Sequence, residues 1–343
     1  MNVLTPFLFP FAVIYDLATR VRNNLYDRGM KPSATFEVPT VGVGNLAVGG
    51  TGKTPMIEYL IRMLSDDYHI ATLSRGYRRA TKGVRIAGPG DSARTIGDEP
   101  MQFYQKFGDN VVVAVGEERV FAVPHILDHQ PAVDLILLDD VFQHRRIQPA
   151  FQILLTDYRR PFVDDFLLPA GRLRESRRGA KRADVVVVTK CPAFLEEEEM
   201  QGLARRIKRY TDAPVFFSGL RYGTLKAVSH EGAEVPDNVV LVSGIANPAP
   251  LEDFARKNYH LVKHIRFSDH HAYTRADVER ICAIASKEGA AVVTTEKDFT
   301  KLGGAAFRSR SVPLFVIPIE MTFVKCGEEF NEIVRNAIKR HAA

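Results

Sequence analysis

The chain has 343 residues, 45% of them apolar and 25% charged, which exceeds one ordinary domain and excludes wholesale disorder. Its net charge of +5 is modest but unevenly spread: residues 159–182 carry eight Lys or Arg against three acids, a local cationic face that would attract phosphates. Cys191, Cys282 and Cys326 match no zinc or disulfide spacing, which fits packed thiols in a reducing cytoplasm.

The first element is apolar. Residues 3–18 (VLTPFLFPFAVIYDLA) precede Arg20, Arg22, Arg28 and Lys31. Interrupted by Pro6, Pro10 and Asp16, the run falls short of the ~20 residues of a comfortable span, so a helix lying in the membrane interface or a short tilted span is expected. No basic start and no A-x-A site mark it as a signal peptide. The basic residues that follow would leave the rest of the chain cytoplasmic.

From residue 37 onward the pattern is strand, turn, helix, repeated. Strands are predicted at residues 38–44, 69–73, 111–115, 134–138, 151–155, 184–188 and 215–220, with helices at 55–64, 117–127 and 196–210. Such continuous apolar runs suit parallel strands covered on both faces, hence a doubly wound α/β domain over residues 25–220. Residues 221–238 read as a linker with some strand character. A smaller α/β domain is then expected over residues 239–343, with strands at 239–242, 261–267, 291–294 and 314–317 and helices at 250–257, 275–287 and 328–340.

Between the first strand and the first helix stands GNLAVGGTGKTP (residues 44–55). Glycines let backbone N–H groups turn inward around phosphate oxygens, so Ala47, Val48, Gly49, Gly50, Thr51, Gly52, Lys53 and Thr54 are the expected nucleotide-binding residues. Lys53 would reach the β and γ phosphates and the Thr54 hydroxyl would ligate magnesium, while Pro55 suits a first helical turn. Ala47 stands where the usual spacing wants glycine, and Gly49 and Gly50 are expected to compensate. The strand LILLDD (residues 135–140) ends in Asp139 and Asp140, the acid such a loop needs near the magnesium shell. Gln143 and His144 follow directly, where substrate and phosphate would meet.

A GTP switch would want D-x-x-G after that strand and N-K-x-D to read guanine. The nearest match, Thr189-Lys190-Cys191-Pro192, lacks the aspartate, so ATP and catalysis are favoured. Two rivals remain open on these grounds: a P-loop enzyme acting on a soluble small molecule, and a membrane-tethered nucleotide switch.

The motifs GNLAVGGTGKTP, LSRGYRR (73–79), GDEP (97–100), LLDDVFQHRR (137–146), PAGRLRE (169–175), FSDHHAY (267–273) and TTEKD (294–298) together resemble the tetraacyldisaccharide 4'-kinase family over nearly the whole length. The resemblance implies two α/β/α domains around a cleft, the first P-loop NTPase-like, and transfer of the ATP γ-phosphoryl group to the 4'-hydroxyl of a tetraacylated glucosamine disaccharide 1-phosphate. It implies ATP and Mg2+ as cofactors, the acylated disaccharide and inner-membrane lipids as partners, and an N-terminal attachment to the bacterial inner membrane with the active site facing the cytoplasm. No nucleic acid and no obligatory protein partner is expected. Carried over residue by residue, Asp98 matches the catalytic aspartate and His270 its partner, in preference to the adjacent His271. Asp139 and Asp140 match the magnesium-associated pair, and Gln143 and His144 line the site. Arg172 and Arg119 are candidates for steadying negative charge or gripping phosphate, and Tyr77 for closing over the nucleotide. TTEKD receives no chemical role.

Overall fold

In this computed structural model the described residues are 5–230, 232–234, 237–303, 307, 310 and 312–342. Residues 1–4 of the predicted N-terminal segment, 231, 235 and 236 of the predicted linker, and 304–306, 308, 309, 311 and 343 of the predicted second domain lie outside them.

The first sheet contains β1 (Thr40–Asn45), β2 (Ile70–Ser74), β3 (Arg85–Ile86), β4 (Val112–Val115), β5 (Leu135–Asp139), β6 (Phe151–Asp157), β7 (Val185–Cys191), β8 (Val215–Tyr222) and β14 (Ile319–Phe323). Their order is β14-β8-β7-β6-β1-β5-β2-β4-β3, parallel throughout except for the two edge strands. The second sheet runs β11-β10-β12-β13-β9, from β9 (Lys226–Ala227), β10 (Asn238–Ser243), β11 (His260–Arg266), β12 (Ala291–Thr295) and β13 (Leu314–Ile317), with only β9 antiparallel.

Alternation explains why both sheets need two covers. In β5, Leu135 and Leu137 enter one core while Ile136 and Leu138 enter another, and in β10 Val240 and Val242 oppose Val239 and Leu241 in the same way. A strand apolar on both faces is stable only between two layers of helix. On one face of the first sheet lie α2 (Lys53–Leu64) and α4 (Asp98–Phe107), which follows the single turn α3 (Ala93–Ile96). On the other lie α5 (Arg119–His129) and α6 (Glu197–Ile207). The second sheet carries α7 (Ala249–Asn258) on one face and α8 (Arg275–Lys287) on the other, and α9 (Glu296–Leu302) leaves the end of β12. Ahead of all these runs α1 (Thr5–Asp27).

Two expectations need correction. The predicted second domain ends too late, because β14 returns to the first sheet, pairing Met321 with Leu220, and α10 (Gly327–Ala342) buries Phe330, Val334 and Ile338 beside α2 in the first core. A helical stripe at i, i+4, i+8 shows that a helix covers something, not which sheet it covers. Nor is the connection a single linker. Tyr222 pairs with Ile319, the Gly223 N–H donates to the Pro318 carbonyl at 2.8 Å, and Lys226 pairs with Val316, so a two-stranded antiparallel ribbon joins the sheets.

Smaller differences fall at element ends. Strand β8 continues to Tyr222, two residues past its predicted end, and α2 begins at Lys53 because Gly52, at φ 84°, turns the loop directly into the helix. The helix α4 was not predicted. It is short and buries only Pro100 and Phe103 fully, so its apolar period is weak.

Candidate active site

Parallel strands deliver their C-terminal ends to one edge, and ligands of open α/β sheets bind there. From β1 the chain enters residues 46–52, held by a neighbouring strand-like segment: the Val48 N–H donates to the Arg172 carbonyl at 2.8 Å, Ala47 pairs with Leu173, and the Arg174 N–H donates to the Leu46 carbonyl at 2.7 Å. That pairing keeps Ala47 extended, so no glycine is needed there. Gly49 instead takes φ 107°, and a side chain on it would collide with the Arg172 guanidinium. Arg172 donates through Nη2 to the Val48 carbonyl at 2.7 Å. From β7, the Thr189 hydroxyl donates to the Thr51 carbonyl at 2.8 Å and Lys190 bonds the Gly50 carbonyl. The segment that fails as a guanine reader is thus a brace for the phosphate loop.

Asp139 and Asp140 emerge from β5 beside β1, as the parallel register of Val43 with Asp139 requires. Lys53 Nζ stands 3.8 Å from Asp140 Oδ1. Arg174 grips the same carboxylate with both arms, at 2.7 and 3.1 Å, and also bonds Asn45. Burial alone would raise the Asp140 carboxyl, but Lys53 and then Arg174 outweigh it and hold it at about 2. Asp139 is 2% exposed, and burial followed by the nearby Glu99 charge pushes it up to about 7 against the pull of Lys53. Glu99 follows Asp98, so the start of α4 lies within Coulombic reach of the acidic pair.

Arg119 lies beneath the acidic pair. It is buried, and its guanidinium donates to the carbonyls of Asp139 at 3.1 Å, Gly116 at 3.2 Å and Glu117 at 3.3 Å. Those bonds fix the end of β5 from below, while Arg119 Nε is buried without a hydrogen-bond partner.

Across the cleft, the loop after β11 brings His270 to Asp98: Nδ1 lies 2.9 Å from Asp98 Oδ2. His271 turns away, stacking on Phe267 and meeting Asp277 at 3.1 Å. Two lysines from α9 join the pair. Lys301 Nζ lies 3.3 Å from Asp98 Oδ2, and Lys297 Nζ 3.3 Å from His270 Nε2 and 3.0 Å from Asp269 Oδ1. The exposed Tyr77 ring meets His270 edge-on, with centroids 6.3 Å apart.

Gln143 donates to the Asn45 carbonyl and to Glu175 Oε1, both at 2.9 Å. His144 is driven down to about 4 by burial and then by Arg119, so its ring stays neutral across the physiological range. Glu175, 3% exposed, is a hub missed in the sequence: it also accepts from Asn23 of α1 at 2.7 Å and Arg182 at 2.8 Å. The cationic face expected over residues 159–182 is divided: Arg159, Arg160, Arg178 and Lys181 stay exposed, while Arg172 bonds the phosphate loop, Arg174 grips Asp140 and Arg182 bonds Glu175. Arg174 was legible in principle, since in an extended segment it shares a face with Arg172.

Magnesium fits these residues. Asp139 Oδ1 is buried with no hydrogen-bond partner, an acceptor waiting for a donor or a cation. Among the described residues no three His, Cys, Asp or Glu side chains converge on a metal. A nucleotide-bound Mg2+ asks for less, because phosphates and waters complete its shell.

Comparison with known proteins places the chain in a family. The family described as tetraacyldisaccharide-1-P 4'-kinase matches residues 4–339. Tetraacyldisaccharide 4'-kinase of Flavobacterium johnsoniae is 42% identical, over 99% of each chain, and that of Bacteroides thetaiotaomicron is 39% identical, over 97% of this chain and 93% of the other. The crystal structure of LpxK from Aquifex aeolicus in complex with ATP superimposes with a TM-score of 0.78 at 28% identity, covering 98% of this chain and all of that one.

Proposed function

The chain belongs to the tetraacyldisaccharide-1-P 4'-kinase family, and on that premise we propose that it transfers the γ-phosphoryl group of ATP to the 4'-hydroxyl of a tetraacylated glucosamine disaccharide 1-phosphate, a step of lipid A biosynthesis. The observation that carries the assignment is the contact between Asp98 and His270, contributed by opposite sides of a cleft whose floor is a phosphate-binding loop.

A sugar hydroxyl is a poor nucleophile at neutral pH, so a carboxylate that takes its proton as the bond to phosphorus forms lowers the barrier. Asp98 has that role, with His270 holding it in place. The backbone of residues 47–54 and Lys53 bind the phosphates, and Arg172 lies over the loop to steady charge on the transferred group. Thr54, Asp139 and Asp140 would hold Mg2+, which when bound would neutralise charge on the phosphate oxygens. Arg119 positions the acidic pair, Gln143 and His144 line the acceptor side, and Tyr77 closes over the reacting groups.

The acceptor is a lipid, and α1 supports delivery from a membrane. One side of α1 docks on the site: Tyr15 donates to the Arg174 carbonyl at 2.9 Å, Arg22 to the Gln143 carbonyl at 3.0 Å and Asn23 to Glu175. The other exposes Phe9, Val13, Ile14, Leu17 and Val21. Among the described residues no helix is long and apolar enough to cross a membrane. We place α1 in the interface of the bacterial inner membrane, with the cleft on the cytoplasmic side.

Purified protein, Mg2+, γ-labelled ATP and the tetraacyl disaccharide 1-phosphate should yield a bisphosphorylated lipid labelled at the 4' position. Label on soluble sugars at an equal rate, or no labelled lipid, would overturn the assignment.

A further inference from the structure

The TTEKD segment sets Lys297 and Lys301 four residues apart on one face of α9, and both reach the Asp98–His270 pair. An ammonium has three donors and no acceptor, so the 3.3 Å contact between Lys297 Nζ and His270 Nε2 is attractive only when Nε2 keeps its lone pair. The ring proton then belongs on Nδ1, the atom 2.9 Å from Asp98 Oδ2. Lys301 is 9% exposed at its side chain and makes no hydrogen bond; Asp98 is its ion-pair partner. A buried ammonium in that position favours a carboxylate that stays ionised.

We infer that Lys297 and Lys301 are positioning residues that hold the pair in one proton arrangement, a neutral His270 donating from Nδ1 to an ionised Asp98. The inference deepens the kinase assignment above and takes its catalytic meaning from it. Its consequence is that Asp98 Oδ2 is occupied and Oδ1 is the oxygen left to accept the sugar proton.

The groups facing the ring make Lys297 decisive. Asp98 comes from α4, Lys301 from α9 through Asp98, and Tyr77, with Arg78 over its ring, from the loop after β2. On the ring's own loop, Asp269 Oδ2 lies 3.8 Å from Nε2 and would draw a proton there. Lys297 bonds Asp269 and opposes that proton directly. Without it His270 becomes an imidazolium that grips Asp98 and weakens it as a base. The helix bearing both lysines is itself fixed: Glu296 takes Lys106 Nζ at 2.6 Å, and the same ammonium bonds buried Glu58 of α2 at 2.6 Å.

The test uses the full chain in detergent micelles with 15N-labelled histidine, His270 being identified by the signals lost in His270→Gln. At pH 7 the wild-type ring should carry its proton on Nδ1 with Nε2 bare. Lys297→Met should protonate Nε2 and lower kcat about 10- to 100-fold with KM for ATP unchanged, activity recovering as pH rises. Lys297→Arg, also donor-only, should keep the wild-type ring signature. A wild-type ring protonated on Nε2, or a Lys297→Met protein with unaltered ring signals and kcat, would overturn the inference. The ring signature is read without acceptor lipid, so a wild-type protein that phosphorylates no lipid would remove the kinase assignment while leaving the proton arrangement standing. Should Lys297→Met fail to fold, the wild-type and arginine spectra still decide.

Discussion

Four non-glycine residues around the cleft, Arg78, Asp140, Lys190 and His270, have φ between 49° and 61°. Left-handed backbone at such residues costs about 1–3 kcal/mol each and persists where surrounding bonds impose it. Asp140 is imposed by Arg174 and Lys53, and His270 by Asp98 and Lys297. For the base itself, Asp98→Ala should lower kcat by roughly 10²- to 10⁴-fold while nucleotide affinity persists, as single-turnover kinetics and ATP titration would show. Equal turnover would remove Asp98 from the chemical step. Arg174→Lys exchanges a two-armed grip on Asp140 for a point charge and should cost about 10-fold in kcat/KM for ATP. His144 makes a pH prediction. Its folded value, about 4, lies below the unfolded 6.5, so the unfolded chain binds the proton first and stability falls as pH drops from 6.5 toward 4. His144→Gln should flatten that limb by about 1–3 kcal/mol in urea titrations at pH 4.5 and 7.

At the scale of elements, α2, α4 and α9 meet through one ammonium. Lys106 of α4 bridges Glu58 of α2 and Glu296 of α9, and Gln102 adds a 2.8 Å bond to Glu58. The nucleotide helix, the helix that begins with Asp98 and the helix that carries Lys297 are therefore tied together. Lys106→Met would strip Glu58, 1% exposed, of its 2.6 Å ammonium and leave Arg62 at 3.5 Å as its cation, and should destabilise the protein by about 1–3 kcal/mol at neutral pH. Burial raises Glu58 above its usual range, so its protonation should shrink that deficit as pH falls. Urea unfolding across pH measures both effects. None of this bridge was readable in advance, because the three residues lie 48 and 190 positions apart in sequence and a charged residue in a helix reads as solvated surface. The amphipathic stripe of α2 was readable, since Met56, Ile57, Leu60, Ile61 and Leu64 repeat at helical spacing.

Across the whole molecule, two sheets present their C-terminal edges to one cleft and a two-stranded ribbon joins them, while α1 lies beside the cleft with its apolar side outward. Replacing Ile14 and Leu17 by aspartate should abolish sedimentation with anionic vesicles and leave the unfolding midpoint nearly unchanged, because both side chains are exposed. Vesicle binding equal to wild type would sink the interfacial placement of α1. Much of the architecture was determined by sequence alone: apolar runs buried on both faces dictate parallel strands between helices, and a glycine-rich turn between strand and helix dictates a phosphate loop. These are local patterns, fixed by backbone sterics and by side-chain period. Tertiary structure alone decided which sheet β14 and α10 complete, that Arg119 is buried against the end of β5, and that two lysines without a sequence-level role flank the Asp98–His270 pair. Burial and partner choice depend on residues far apart in the chain, and a single sequence carries no local signal of such distances.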